Sequence, residues 1–167
     1  MRKLLAEAYR PSTLDGYVFT SPELKTAVTR FIKKQEIPNL LLSGTQGTGK
    51  TTLSRILVSE LGIQDIDVLT INASLMGVDD IRNKIEPFVK KMGFSNFKIV
   101  QLEEADRISL AGQQSLRSII EDSSDKVRWI ATCNFPNKII PPLLSRFQHF
   151  HIESLPENEL IDYILDV

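Results

Sequence analysis

Apolar positions along the chain alternate between two spacings. Leu24, Ala27, Val28, Phe31 and Ile32 recur at helical intervals behind Ser21-Pro22-Glu23, where a serine N-cap precedes a proline in the first turn. Pro38 breaks the pattern, and residues 39–43, with Leu40-Leu41-Leu42, read as a short buried strand. Helical spacing returns from Thr52 to Leu61 through Leu53, Ile56 and Leu57, and ends near Gly62. Val68-Leu69-Thr70-Ile71 predicts a second strand. From Gly77 to Met92, Ile81, Ile85, Phe88 and Val89 predict an amphipathic helix that Pro87 should kink or end as a first piece. Lys98 to Leu102 predicts a third strand, Ser109 to Glu121 a helix, and Val127 to Thr132 a fourth strand. Pro141 opens a short helix over 142–146, Phe147 to Ile152 forms a fifth strand, and Glu157 to Val167 starts another helix. Residues 1–20 show neither period.

Strands alternating with helices predict an α/β fold: a parallel five-stranded sheet with helices on both faces, in three αβα layers. Ligands of such sheets sit beyond the carboxyl ends of the strands. Residues that follow strands one, three and four would then share one edge.

Composition narrows this only a little. A chain of 167 residues with 42% hydrophobic and 25% charged residues can bury one full core. No apolar run approaches the ~20 residues that cross a membrane, and Glu7 comes too early for a secretory signal. The single cysteine, Cys133, excludes an intrachain disulfide and fits a reducing, intracellular compartment. Net charge is −1, so any nucleic-acid contact must come from a local patch.

The strongest chemical signal follows the first strand. Gly44-Thr45-Gln46-Gly47-Thr48-Gly49-Lys50-Thr51 is a phosphate loop, and the strand before it and helix after it supply the context that gives the motif its meaning. Its glycines let backbone N–H groups turn around a phosphate, and the helix N-terminus adds positive potential there. Residues Gly44 to Thr51, with Thr52, are candidate nucleotide-binding residues; the class is a P-loop NTPase. Lys50 would meet the β- and γ-phosphates, and the Thr51 hydroxyl would meet Mg²⁺.

Binding is not hydrolysis. Hydrolysis also needs a metal-side acid, a group on the water, and cations for the developing charge. Glu103-Glu104 ends the third strand: Glu103 is placed for the Mg²⁺ shell and Glu104 for the attacking water, with Asp106 a third acid nearby. A solvated acidic strand end is the plainer account. Asn134, after the fourth strand, is placed to bridge water and γ-phosphate, or simply starts a turn. Arg146 alone reads as a surface charge or helix C-cap. His149 and His151 share a strand face, but a metal site there lacks a third ligand.

Taken in order, these segments resemble the small-subunit ATPases of sliding-clamp loaders, in the AAA+ class. Tyr9-Arg10-Pro11 resembles the family's Tyr-Arg-Pro box, which the resemblance places by the adenine. Asn72-Ala73-Ser74 and Gly77 to Ile85 resemble its Asn-Ala-Ser segment and following helix. Glu103-Glu104-Ala105-Asp106 resembles its Asp-Glu-Ala-Asp box, with Gln113, Leu116 and Arg117 fitting the next helix. Asn134 fits its sensor position. Lys138 to Phe147 resembles the stretch ending Ser-Arg-Cys.

The resemblance implies an ATPase that uses ATP and Mg²⁺ to open a clamp and load it on primer-template DNA in replication. It implies that Arg146 acts in trans, completing the site of a neighbouring subunit in a ring or spiral. Arg82, and more weakly Lys84, would grip the DNA backbone without reading sequence. Residues 1–153 would form the nucleotide-binding domain and 154–167 the start of a helical lid. Three departures stand out: Glu103 replaces the usual aspartate, Leu75-Met76 shortens the segment after Ser74 and removes a basic residue, and Ser-Arg-Phe replaces Ser-Arg-Cys. The shorter segment is similar to phage clamp loaders of the T4 type, which suggests a phage protein in a bacterial host. Glu103 also leaves open a nucleotide-binding interaction module that scarcely hydrolyses. Another AAA+ replication ATPase, such as a helicase loader or initiator, is a further alternative, and a small-molecule kinase ranks last.

Overall fold

The computed structural model describes residues 10–154. Tyr9 of the expected adenine box, and residues 155–167, on which the expected lid helix falls, lie outside them. The described chain runs α1 (Pro22–Lys34), β1 (Leu40–Ser43), α2 (Lys50–Glu60), β2 (Val68–Asn72), α3 (Val78–Lys90), β3 (Lys98–Glu103), α4 (Leu110–Asp122), β4 (Val127–Cys133), α5 (Pro141–Leu144) and β5 (Gln148–His151). Each element falls where the apolar period places it. The period did not predict four single-turn 3₁₀ segments, at Asp65–Asp67, Ala73–Leu75, Ala105–Arg107 and Pro136–Lys138.

All five strands are parallel, in the order β2-β3-β4-β1-β5. Alternate residues of each strand face opposite layers. Leu41, Val100, Leu102, Trp129 and Ala131 pack with Ile81, Ile85, Leu116 and Ile120 of α3 and α4. Leu40, Leu42, Ile99 and Ile130 pack with Leu24, Val28, Phe31, Leu53 and Leu57 of α1 and α2. Those two apolar layers around one sheet are the expected αβα sandwich. Burial of each Leu or Ile side chain contributes about 1.5–3 kcal/mol.

Helix starts follow their caps. Ser21 Oγ accepts from Leu24 N at 3.3 Å, and Ser109 Oγ from Gly112 N at 3.2 Å. Of the kink or early end expected at Pro87, the early end does not occur, because the helix continues through it to Lys90. Proline removes one backbone donor, but the last turn has other anchors. Phe88 and Val89 pack on the core. The buried Lys98 ammonium donates to the Phe88 carbonyl and, at 2.6 Å, to that of Lys91. A cation on the final carbonyls satisfies them and opposes the negative end of the helix dipole.

A polar chain runs inward from the exposed Thr70 on β2. Thr70 Oγ1 donates to Gln101 Oε1 at 2.7 Å, and Gln101 Nε2 donates to Ser54 Oγ at 2.7 Å. It joins β2 and β3 to the helix that follows the phosphate loop.

Candidate nucleotide site

The carboxyl ends of β3, β4 and β1 lie side by side, with β4 in the middle. A cleft of about 180 Å³ opens there, lined by Gln46, Lys50, Thr51, Glu103, Glu104, Arg107, Thr132, Cys133 and Asn134. The phosphate loop, both acids and the asparagine therefore meet, although 30 residues or more of chain separate the three segments. A larger groove of about 790 Å³ between α3 and α4 is lined by Arg82, Lys90 and Lys126 but also Glu86, Asp122 and Asp125. Its mixed charge and lack of any phosphate-loop residue make it the poorer nucleotide site.

The loop needs its glycines. Gly44, Gly47 and Gly49 have φ of 152°, 84° and 86°. A Cβ on Gly44 would lie 2.3 Å from the Ile152 carbonyl oxygen, so the backbone just after β5 leaves room only for hydrogen. A Cβ on Gly49 would press on the Tyr17 ring at 3.2 Å. Lys50 Nζ donates to the Gly44 and Thr45 carbonyls at 2.9 and 2.6 Å. Burial lowers the Lys50 pKa, while Cys133 and Asp106 oppose the shift. The glycine cradle, the ammonium inside it and the Thr51 hydroxyl at the helix start fit a nucleotide triphosphate tail.

The acids have cationic neighbours of their own. Glu103 pairs with Arg55 at 3.5 Å, and Glu104 Oε2 with Arg107 Nε at 2.8 Å. Glu104 has a left-handed backbone, φ 56°, uncommon without glycine, and its N–H donates to Thr132 Oγ1 at 3.4 Å. Asp106 differs from the other two. It is buried, and its two oxygens accept the backbone N–H groups of Asn134 and Phe135 at 3.4 and 3.2 Å. Its work is to hold the end of β4, not to line the cleft.

Arg10 is exposed and Pro11 half-buried; neither lines the cleft. Thr52 is buried in the first turn of α2. Arg82 and Lys84 are exposed on α3; Arg82 Nε is 3.4 Å from Ser115 Oγ, and Lys84 Nζ 3.9 Å from Asp80. Arg146 stands apart from the cleft. Its carbonyl accepts from Asn39 Nδ2 at 3.3 Å, just before β1. The phosphate loop leaves the other end of β1, about 13 Å away along the strand.

Sequence reasoning missed Tyr17, Arg55, Arg107 and the tie between β5 and the loop. Only Arg107 left a local signal, three residues after Glu104. Tyr17 packs edge-on against Phe19, centroids 4.9 Å apart, and burial pushes its hydroxyl up to about 12. The histidines hold no metal cluster among the described residues. Instead His149 Nε2 and His151 Nδ1 lie 2.6 and 3.0 Å from the buried Ser43 hydroxyl.

Comparison with known proteins follows the same line. The family model described as "ATPase family associated with various cellular activities (AAA)" matches residues 40–154. Replication factor C small subunit from Methanococcus maripaludis is 36% identical over 100% of this chain and 54% of its own. That from Saccharolobus solfataricus is 37% identical over 97% of this chain and 50% of its own. The chain thus spans about half the length of the curated relatives it matches. These relatives are archaeal and lend no support to the phage likeness. Among solved structures, the Thermotoga maritima RuvB Holliday junction branch migration motor superposes with TM-score 0.74 at 23% identity, over 95% of this chain and 55% of that one. A DNA polymerase III gamma subunit-related protein from the same organism gives TM-score 0.66 at 19% identity, over 80% of this chain and 47% of its own. At such identities the two structures speak for the fold alone.

Proposed function

The chain belongs to the AAA family of ATPases, and from that premise we propose that it is an ATP-hydrolysing subunit of a sliding-clamp loader in DNA replication. The observation that carries this reading is the division of the site between two ends of the sheet. Lys50, Thr51, Glu103, Glu104 and Asn134 line one cleft, while Arg146 lies beyond the opposite end of β1. Among the described residues the cleft's own cations are Lys50 and Arg107, the latter paired with Glu104, and a neighbour's Arg146 would add another. The similarity to replication factor C small subunits supports the same assembly.

Lys50 would exchange the Gly44 and Thr45 carbonyls for phosphate oxygens, which compete well for an ammonium. Thr51 and Glu103 would hold Mg²⁺, whose charge offsets that of the phosphates. For Glu103 this means leaving Arg55, a contact at 3.5 Å with one partner largely exposed and so easily given up. Glu104 would polarise the attacking water, and Asn134 would orient that water against the γ-phosphate. Arg146 from the next subunit would stabilise the charge that develops in the transition state. Arg10 and Pro11, with Tyr9, would flank the base. Arg82 and Lys84 would touch DNA phosphates, and this role fits an intracellular location.

The test is steady-state ATP turnover by the chain, with and without clamp plus primed DNA, for the wild type and Glu104→Gln. Strong stimulation by the pair, abolished in Glu104→Gln while ATP still binds, is the expected result. Tight nucleotide binding without turnover in the wild type would favour the interaction module instead, a reading motivated by the glutamate at position 103.

A further inference from the structure

Arg146 has a partner inside its own chain. Its guanidinium pairs with Glu121 Oε1, one residue before the end of α4. The same oxygen accepts Arg117 Nε at 3.0 Å from one turn earlier on that helix. Two guanidinium groups thus converge on one carboxylate oxygen. The Arg117 hydrogen bond, outweighing desolvation and joined by the charge of Arg146, holds the Glu121 carboxyl below the usual carboxylate range.

The backbone under Arg146 is fixed separately. Its N–H donates to the Leu143 carbonyl at 3.0 Å, and its carbonyl accepts from Asn39. The approach to α5 is clasped by the buried Gln113, which accepts from Ile140 N at 2.8 Å and donates to the Lys138 carbonyl at 3.0 Å. These contacts set where the arginine starts. The direction of its long side chain is left to Glu121, 25 residues away in sequence.

We propose that Glu121 is the positioning residue for the trans-acting Arg146, with Arg117 fixing the carboxylate that does the positioning. The inference rests on the trans reading above. A free arginine side chain loses most of its rotamer freedom when it docks on a phosphate, and one already ordered by an ion pair loses less. A bond to one carboxylate oxygen engages only part of the guanidinium's five donors. The rest stay available to a neighbour's phosphate. Arg117 keeps Glu121 from following Arg146 across the boundary.

The experiment is single-turnover ATP hydrolysis by the chain assembled with its partner subunits, as a double-mutant cycle. Arg146→Ala is expected to slow the step by about 10³-fold, the scale of an arginine finger. Glu121→Ala is expected to slow it about 3- to 5-fold, the scale of an exposed ion pair. The chain's own ATP affinity should not change. Glu121→Gln, which keeps an acceptor but no charge, should fall between, and carries the same test should Glu121→Ala fail to fold. On the Arg146→Ala background neither Glu121 variant should slow the reaction further. The same loss on that background would overturn the proposal and leave the trans finger standing. No effect of Arg146→Ala would overturn the trans reading and this proposal with it.

Discussion

The carboxylate of Asp106 holds the backbone of Asn134, accepting its N–H at 3.4 Å and that of Phe135 at 3.2 Å. The residue that the sequence offers as a third acid nearby is therefore a brace between the β3 and β4 ends. Asp106→Ala leaves two part-buried backbone donors without this partner, a loss of about 1–3 kcal/mol for the pair. The expected outcome is a stability loss of about 1–3 kcal/mol in urea and a turnover loss of about ten-fold or more, with ATP affinity little changed. Wild-type turnover in Asp106→Ala would separate Asp106 from Asn134.

Gly44 has no space for a side chain. Its missing Cβ faces the Ile152 carbonyl oxygen at 2.3 Å and Thr48 Oγ1 at 2.9 Å, at φ 152°. Gly44→Ala must push β5 away from the loop or distort the cradle, at about 1–3 kcal/mol. Isothermal titration with ATP should show binding lost or greatly weakened, alongside a lower Tm. Gly62→Ala is the control: its φ is also positive, at 62°, but nothing lies within 4 Å of the added carbon. It should cost backbone strain without loss of ATP binding.

His149 makes the fold sensitive to acid. Burial, then the neighbouring His151, lowers the His149 pKa below its ordinary 6.5. Between the lowered value and 6.5 the unfolded chain binds more protons than the folded one, so stability rises with pH there. The contribution is complete above about pH 6.5 and is lost as pH falls through the folded value. The Ser43 hydroxyl lies between both rings and can donate to one neutral ring while accepting from the other. A fall in Tm between pH 7 and pH 5 should flatten in His149→Asn. An identical slope in that variant would assign the acid sensitivity elsewhere.

Arg82 bears on DNA. If it touches one phosphate per subunit, Arg82→Ala should reduce the slope of log affinity against log salt by about one for each subunit engaged, for every duplex sequence alike. Fluorescence anisotropy across a salt series reads this directly. An unchanged slope would leave Arg82 with Ser115 as an ordinary surface contact on α3.

Sequence alone determined the phosphate loop, the order and type of the ten helices and strands among the described residues, and the acids closing β3. Those features rest on neighbours a few positions apart: glycine spacing, a serine cap, an apolar residue every second or every third to fourth place. Pro87 is the exception that shows the rule, because distant Lys98 supplies the contacts that carry α3 past it. Tertiary structure decided the strand order β2-β3-β4-β1-β5, and with it that Asn134 lies between the acids and the loop. It also turned Asp106 inward, brought His149 and His151 onto Ser43, and set Arg146 against Glu121 at the far end of the sheet from the cleft. These pairs are 25 to 108 residues apart, or depend on which strand lies beside which. No local period encodes such contacts; they exist only once apolar burial has closed the two layers on the sheet.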